Sequence, residues 1–275
     1  MHRIRTLFVA LSYALFLGGI GSAVFVFLGY EKGRNTYDRI AVSYTREAET
    51  EEPPELEMEA FPSRKIAFSR RNESEEARIP DFAPPGITVD FAGLQKENPD
   101  VVAWLYLPGL SLSYPVLQGE DNTTYLHQGI DGETLCAGSL FLEEQNSPGL
   151  ENYHSIVYGH NMRDGTMFGR LKEYQEEETY EACPYFWLYL PGKAYLYRIF
   201  SVHTPRVGDE TYLLRFENLR AYKSWVADMQ AASTVSTWEP GESPGKTVTL
   251  STCTGADAYR QVVQGIQVYA KETEP

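Results

Sequence analysis

The chain has 275 residues, 24 of them Lys or Arg and 38 Asp or Glu, for a formal net charge of −14, with 43% hydrophobic and 13% aromatic residues. Phosphate recognition needs clustered basic surface, and no Lys/Arg run supplies one, so a nucleic-acid partner is excluded; a chain disordered throughout is excluded by the apolar content. Three cysteines, Cys136, Cys183 and Cys253, are too few for a disulfide-built scaffold, and without a CxxC pair or a spaced Cys/His set neither a metal site nor a cofactor is expected.

From the N-terminus, residues 1–6 carry Arg3 and Arg5, and Leu7 to Tyr30 contains no charged residue. As a helix that run would be roughly 36 Å long, enough for a hydrocarbon core of about 30 Å. It reads as an uncleaved transmembrane anchor over 7–30. It is longer than the apolar core of a signal peptide and lacks an Ala-x-Ala site after it. The expected localisation is therefore the cell membrane, single-pass, with tip 1–6 cytoplasmic and the C-terminal domain extracellular. Residues 31–85 are rich in Glu, Arg and Pro and read as a stalk, with a weakly patterned helix near 40–48. Acidity concentrates further on: residues 81–275 carry −13 of the charge.

From residue 86 the texture changes. Asp90 caps a short helix through Phe91 and Leu94 that ends near Asn98-Pro99. Strands rich in β-branched and aromatic residues are predicted at 101–107, 113–117, 138–142, 155–158, 186–190, 194–203, 247–253 and 260–270, with Gly and Pro between them. Helices are predicted at 166–174 and 216–232. Eight short strands suggest a mainly β barrel or sandwich over 86–275.

Two local patterns could carry chemistry. In the strand ending at Cys253, Thr249, Ser251 and Cys253 share one face by alternation. If the next strand pairs back as a hairpin with Arg260 opposite Cys253, their Cβ atoms lie about 5 Å apart. A guanidinium there favours the thiolate, the nucleophilic form; a buried Cys beside a surface Arg fits the same pattern. The second pattern is Tyr158-Gly-His160-Asn-Met, where His160 ends a strand at the mouth of a loop. Taken alone, a histidine at such a position is more often a hydrogen-bonded loop residue than a catalyst. His154 lies six residues before His160, neither a helical nor a common zinc spacing, and His127 and His203 have no acidic or thiol neighbours in sequence; all three read as structural. Gly241-Glu-Ser-Pro-Gly245 matches the nucleophile elbow by letter, but it follows a helix and precedes a strand, so it is a turn.

Taken together, Leu250-Ser-Thr-Cys253, an Arg shortly after it and Tyr158-Gly-His160-Asn-Met resemble a sortase, a cysteine transpeptidase of Gram-positive cell envelopes, and class B more than class A. The resemblance extends through Asn98-Pro-Asp-Val-Val-Ala-Trp, Asp121-Asn-Thr-Thr-Tyr-Leu, Gly138-Ser-Leu-Phe and Gly165-Thr-Met-Phe-Gly. It implies an eight-stranded closed β-barrel with an N-terminal helix and a helix inserted before the Cys-bearing strand. It implies Cys253 as nucleophile, His160 as general acid/base and Arg260 as oxyanion support, with substrate contacts at Asn122, Leu126, Tyr158 and Ser251. The implied partners are surface proteins bearing a C-terminal sorting motif, cleaved after Thr through a thioester, and an acceptor amine of a peptidoglycan precursor or a pilin lysine. The Cys-to-Arg spacing of seven residues is shorter than in many class B members, and Thr254 stands where some carry an acid. A cysteine hydrolase of the same fold and a non-catalytic envelope module are the competing readings.

Overall fold

The computed structural model describes residues 2–47, 86–241, 244–253 and 258–273. It opens with α1 (His2–Tyr44), β1 (Thr45–Glu47), β2 (Ile87–Val89) and α2 (Phe91–Glu97), β1 and β2 forming a small antiparallel sheet. Asp90 caps α2 as its sequence predicts, its carboxylate accepting from the Gly93 N–H at 2.8 Å, and Phe91 and Leu94 enter the core. Tyr37 and Ile40 of α1 are buried, and the Tyr37 hydroxyl donates to the Gly138 carbonyl at 2.7 Å. The rest of the stalk predicted over 31–85, residues 48–85, lies outside the described residues.

The membrane prediction is corrected here. Among the described residues no helix is long and apolar enough to cross a membrane. The single-pass localisation, its cytoplasmic and extracellular sides, and the membrane as a partner through residues 7–30 all rested on such a span. One physical feature bears on the difference: the helix does not stop at Tyr30, and α1 continues through Glu31, Lys32, Arg34, Asp38 and Arg39, a charged half that is docked on the domain.

Beyond α2 the strands are β3 (Val101–Leu107), β4 (Leu112–Leu117), β5 (Leu140–Leu142), β6 (His154–His160), β7 (Tyr185–Leu190), β8 (Lys193–His203), β9 (Thr247–Cys253) and β10 (Val262–Glu272). They close into the expected eight-stranded barrel in the order β10-β8-β7-β3-β4-β5-β6-β9. Consecutive antiparallel strands supply four of the eight neighbouring pairs, β3–β4, β5–β6, β7–β8 and β9–β10. The Pro191-Gly192 turn between β7 and β8 needs φ +74° at Gly192, which glycine adopts without strain. Two pairs are parallel, β4 with β5 and β6 with β9, and the second closes the barrel. Trp104, Leu105, Leu140, Val157, Leu188, Leu196, Val248, Leu250 and Val263 belong to the main core. A second cluster outside the barrel packs Phe200 of β8 and Ile266 of β10 under α4 (Leu219–Ala231) through Tyr222, Trp225, Val226 and Met229, which fall on one face at helical spacing.

The helix predicted at 166–174 is displaced. Asp164 captures the Thr166 N–H and hydroxyl at 3.1 and 2.7 Å, Met167 takes a left-handed φ of 51°, and Phe168 N–H bonds back to the His160 carbonyl. The chain therefore turns first, and helix follows as a 3-10 turn at Leu171–Gln175 and α3 (Glu177–Ala182).

Candidate active site

The parallel β6–β9 ladder runs in register from His154↔Thr247 to His160↔Cys253, so the histidine and the backbone of the cysteine end side by side at one rim of the barrel. β10 lies antiparallel on the other side of β9, its ladder ending at Val262 opposite Ser251, so the strand predicted from residue 260 begins two residues later; the Thr252 N–H still bonds the Gln261 carbonyl at 3.0 Å, which keeps Arg260 at the same rim just beyond the paired strand. The segment bearing Arg260 is held in place from the far side too: its N–H bonds the Pro205 carbonyl at 3.0 Å, and Tyr259 bridges to Arg206. The two patterns found separately in the sequence thus meet at one edge. Residues 254–257 of the connecting loop lie outside the described residues.

Gly159 matters to this placement. A methyl group there would overlap Leu140 and Phe168, so only glycine lets β6 run flush against the ring and bring His160 to the rim. His160 Nε2 lies 2.6 Å from the Leu126 carbonyl. A carbonyl only accepts, so Nε2 carries a hydrogen and Nδ1 is the nitrogen left for proton exchange.

A cavity of about 480 Å³ opens beside the histidine, and its lining includes Asn122, Leu126, Tyr158, His160, Ser251 and Arg260. All four residues that the resemblance assigns to substrate therefore share a groove with His160 and Arg260. Asn122 and Leu126 are presented by a 3-10 turn (Thr124–Leu126) whose start is fixed by Asp121. Its exposed carboxylate accepts from the Thr124 and Thr123 N–H groups, which pull its pKa down to about 2. Sequence reasoning missed other lining residues. His127, read as structural, lines the groove with its ring 6.2 Å from that of His160. Val207, Gly208 and Tyr212 form a wall, the Tyr212 hydroxyl 3.1 Å from Ser251 Oγ. They sit between β8 and α4, where no local motif marks them. Among the described residues no three His, Cys, Asp or Glu side chains gather as a metal-binding group.

Two buried histidines pin that wall. His154 lies against Trp225, with Nδ1 2.8 Å from the Leu213 carbonyl and Nε2 2.7 Å from Thr249 Oγ1. His203 reaches Ser201 Oγ at 2.9 Å and Thr211 Oγ1 at 3.1 Å. Burial pushes both pKa values down to about 4; the Leu213 carbonyl resists the shift at His154 and the Asp209 carboxylate resists it at His203. Because the folded pKa lies below the unfolded value near 6.5, the unfolded chain binds more protons between pH 6.5 and 4, and stability falls as pH is lowered through that window. Each histidine should cost about 3 kcal/mol by pH 4. Urea midpoints measured from pH 7.5 to 4.5 should drop, and H154Q should flatten the slope; a wild-type profile flat through this range would mean that the two imidazoles are not held neutral by the fold.

The family model for the sortase domain matches residues 105–272, which takes in most of the barrel and every groove residue named above. The chain belongs to the sortase family. This sortase is 33% identical over 181 residues to sortase B of Staphylococcus aureus (strain NCTC 8325 / PS 47), covering 66% of this chain and 73% of that protein. It is 31% identical over 175 residues to sortase B of Listeria monocytogenes serovar 1/2a, covering 62% and 71%. The structure of a Staphylococcus aureus sortase B–substrate complex superposes with a TM-score of 0.60 at 30% identity, over 64% of this chain and 83% of that one. The sortase is thus of the class B type, and its activity is that of a cysteine transpeptidase.

Proposed function

We propose that this sortase cleaves a sorting motif after Thr through a thioester on Cys253 and passes the acyl group to an amine of a peptidoglycan precursor or a pilin lysine. The catalytic unit in this reading is residues 86–275. The observation that carries it is the β6–β9 register, which sets His160 beside the backbone of Cys253 at the mouth of a groove that Arg260 also lines.

The thiolate of Cys253 attacks the Thr carbonyl, forming a C–S bond and a tetrahedral oxyanion. Arg260 and a backbone N–H hold that charge, which exists only in the tetrahedral state. As the C–N bond breaks, His160 gives its Nδ1 proton to the departing amine; it then takes a proton from the incoming amine, which attacks the thioester and releases the thiolate. The hydrogen bond from Nε2 to Leu126 supports this cycle by holding the ring while Nδ1 exchanges protons. Asn122, Leu126, Tyr158 and Ser251 are the proposed contacts for the sorting motif. That a Staphylococcus aureus sortase B was solved as a substrate complex lends support from a relative of the same class.

A peptide library with variable sorting motifs, incubated with and without a diglycine or lysine-peptide amine, tests the reading. Amine-dependent ligation product is expected to dominate as amine is raised. Hydrolysed peptide alone at saturating amine would point to a cysteine hydrolase, and no turnover of any motif would leave a non-catalytic module.

A further inference from the structure

Directly behind the groove sits a carboxylate that the catalytic cycle does not use. Glu143 follows β5 and is 5% exposed. Its backbone is fixed, the N–H bonded to the Ile156 carbonyl at 2.9 Å and the carbonyl accepting from Gln118 Nε2 at 3.0 Å. Among the described residues no Lys or Arg forms an ion pair with it. A buried carboxylate without a cation must be balanced by hydrogen-bond donors. Two of those donors are groove residues: Asn122 Nδ2 reaches Oε1 at 2.8 Å and the Tyr158 hydroxyl reaches Oε2 at 3.0 Å.

The consequence for Asn122 is specific. Its Oδ1 already accepts from the Glu144 N–H at 3.0 Å. With that oxygen occupied and one Nδ2 hydrogen given to Glu143, the amide cannot flip, because a flip would set Nδ2 against the Glu144 N–H and Oδ1 against a carboxylate. What remains for the groove is the second Nδ2 hydrogen, a donor. We infer that Glu143 is a positioning residue that fixes Asn122 as an obligate hydrogen-bond donor and Tyr158 in its place, so that the groove selects a substrate presenting a peptide carbonyl at that point. This rests on the proposed reading that Asn122 and Tyr158 contact the sorting motif.

Glu143→Leu keeps roughly the same volume but removes both acceptor oxygens, whereas Glu143→Gln can turn its oxygen to Asn122 and its NH2 to the Tyr158 hydroxyl, which then accepts. The test measures kcat and KM for one sorting peptide in wild type, E143L, E143Q, N122A and the E143L/N122A double variant, with the thermal midpoint of each. In the wild-type background E143L should raise KM about tenfold, the scale of one lost positioning hydrogen bond, while kcat stays within about twofold, and E143Q should stay within about threefold of wild type. In the N122A background E143L should raise KM by less than about threefold, because the group it acts through is gone. Equal, additive losses in both backgrounds, or a loss confined to kcat, would overturn the inference. If N122A leaves KM unchanged, it is the groove reading that fails instead. Should E143L not fold, the side-chain amide of Asn122 in the wild-type protein, assigned by its loss in N122A, decides the matter by NMR. Two separate amide protons with one slow to exchange are expected; a rapidly averaged, unprotected pair would refute the positioning role.

Discussion

Cys253→Ala is expected to abolish acyl-enzyme formation altogether. With peptide and no acceptor amine, intact mass spectrometry of the wild-type protein should reveal an adduct equal to the peptide up to its Thr, and the variant should carry none. Turnover should drop on the order of 10⁶-fold, the scale seen when a covalent nucleophile is deleted from a constellation that acts as a unit. The other two thiols supply the control. Cys136 is exposed, and Cys183 is partly buried with burial pushing its pKa up, away from thiolate. C136A and C183A should therefore keep the adduct. An adduct that persists in C253A, or vanishes in C183A, would move the nucleophile elsewhere.

Arg260→Lys is the second large effect. The charge survives, but an ammonium on a flexible stem cannot reproduce a planar guanidinium aimed at a developing oxyanion. Loss of one well-placed donor of this kind costs about 10²–10³-fold in kcat, or roughly 3 to 4 kcal/mol. KM should change little, because the ground-state carbonyl gains far less from the donor than the tetrahedral state does. Near wild-type kcat in R260K would show that the oxyanion is held by other groups. The segment's ties to Pro205 and Arg206 are backbone bonds and a bond from Arg206 Nε to the Tyr259 hydroxyl at 3.1 Å, none of which uses the Arg260 side chain, so the substitution leaves them intact.

Much of this site is legible in the amino-acid sequence. The strands announce themselves because each is a short β-branched, aromatic run between turn residues, and the β9–β10 hairpin is local enough for its register to follow from spacing. Asn122, Leu126, Tyr158 and Ser251 enter through resemblance and share one groove. Other features depend on forces that are not local. The fate of Leu7 to Tyr30 cannot be separated from that of a span by its letters, since an uncharged run looks alike in both settings. The 166–174 helix yields to the Asp164 carboxylate, which offers Thr166 a better partner than a helical turn does. Tyr212 and His127 reach the groove, and Glu143 the residues behind it, only through long-range closure, so no window of sequence contains their reason for being there. His154 and His203 are structural, as their places in the sequence suggest, but which wall they pin is decided by the closure of the barrel.

The parallel β6–β9 ladder carries a consequence for how the enzyme comes into being. Its two strands are separated by residues 161–246, and a parallel pair has no hairpin to bring it together. Closing that loop costs chain entropy before any contact compensates it, which places this pairing among the slow steps of folding. The cysteine and histidine to which we assign the chemistry stand on these two strands, so a chain in which the pair has not closed does not hold them side by side. In the proposed mechanism such a chain has a thiol without its acid or its groove, and acyl transfer is confined to chains in which this ladder has formed.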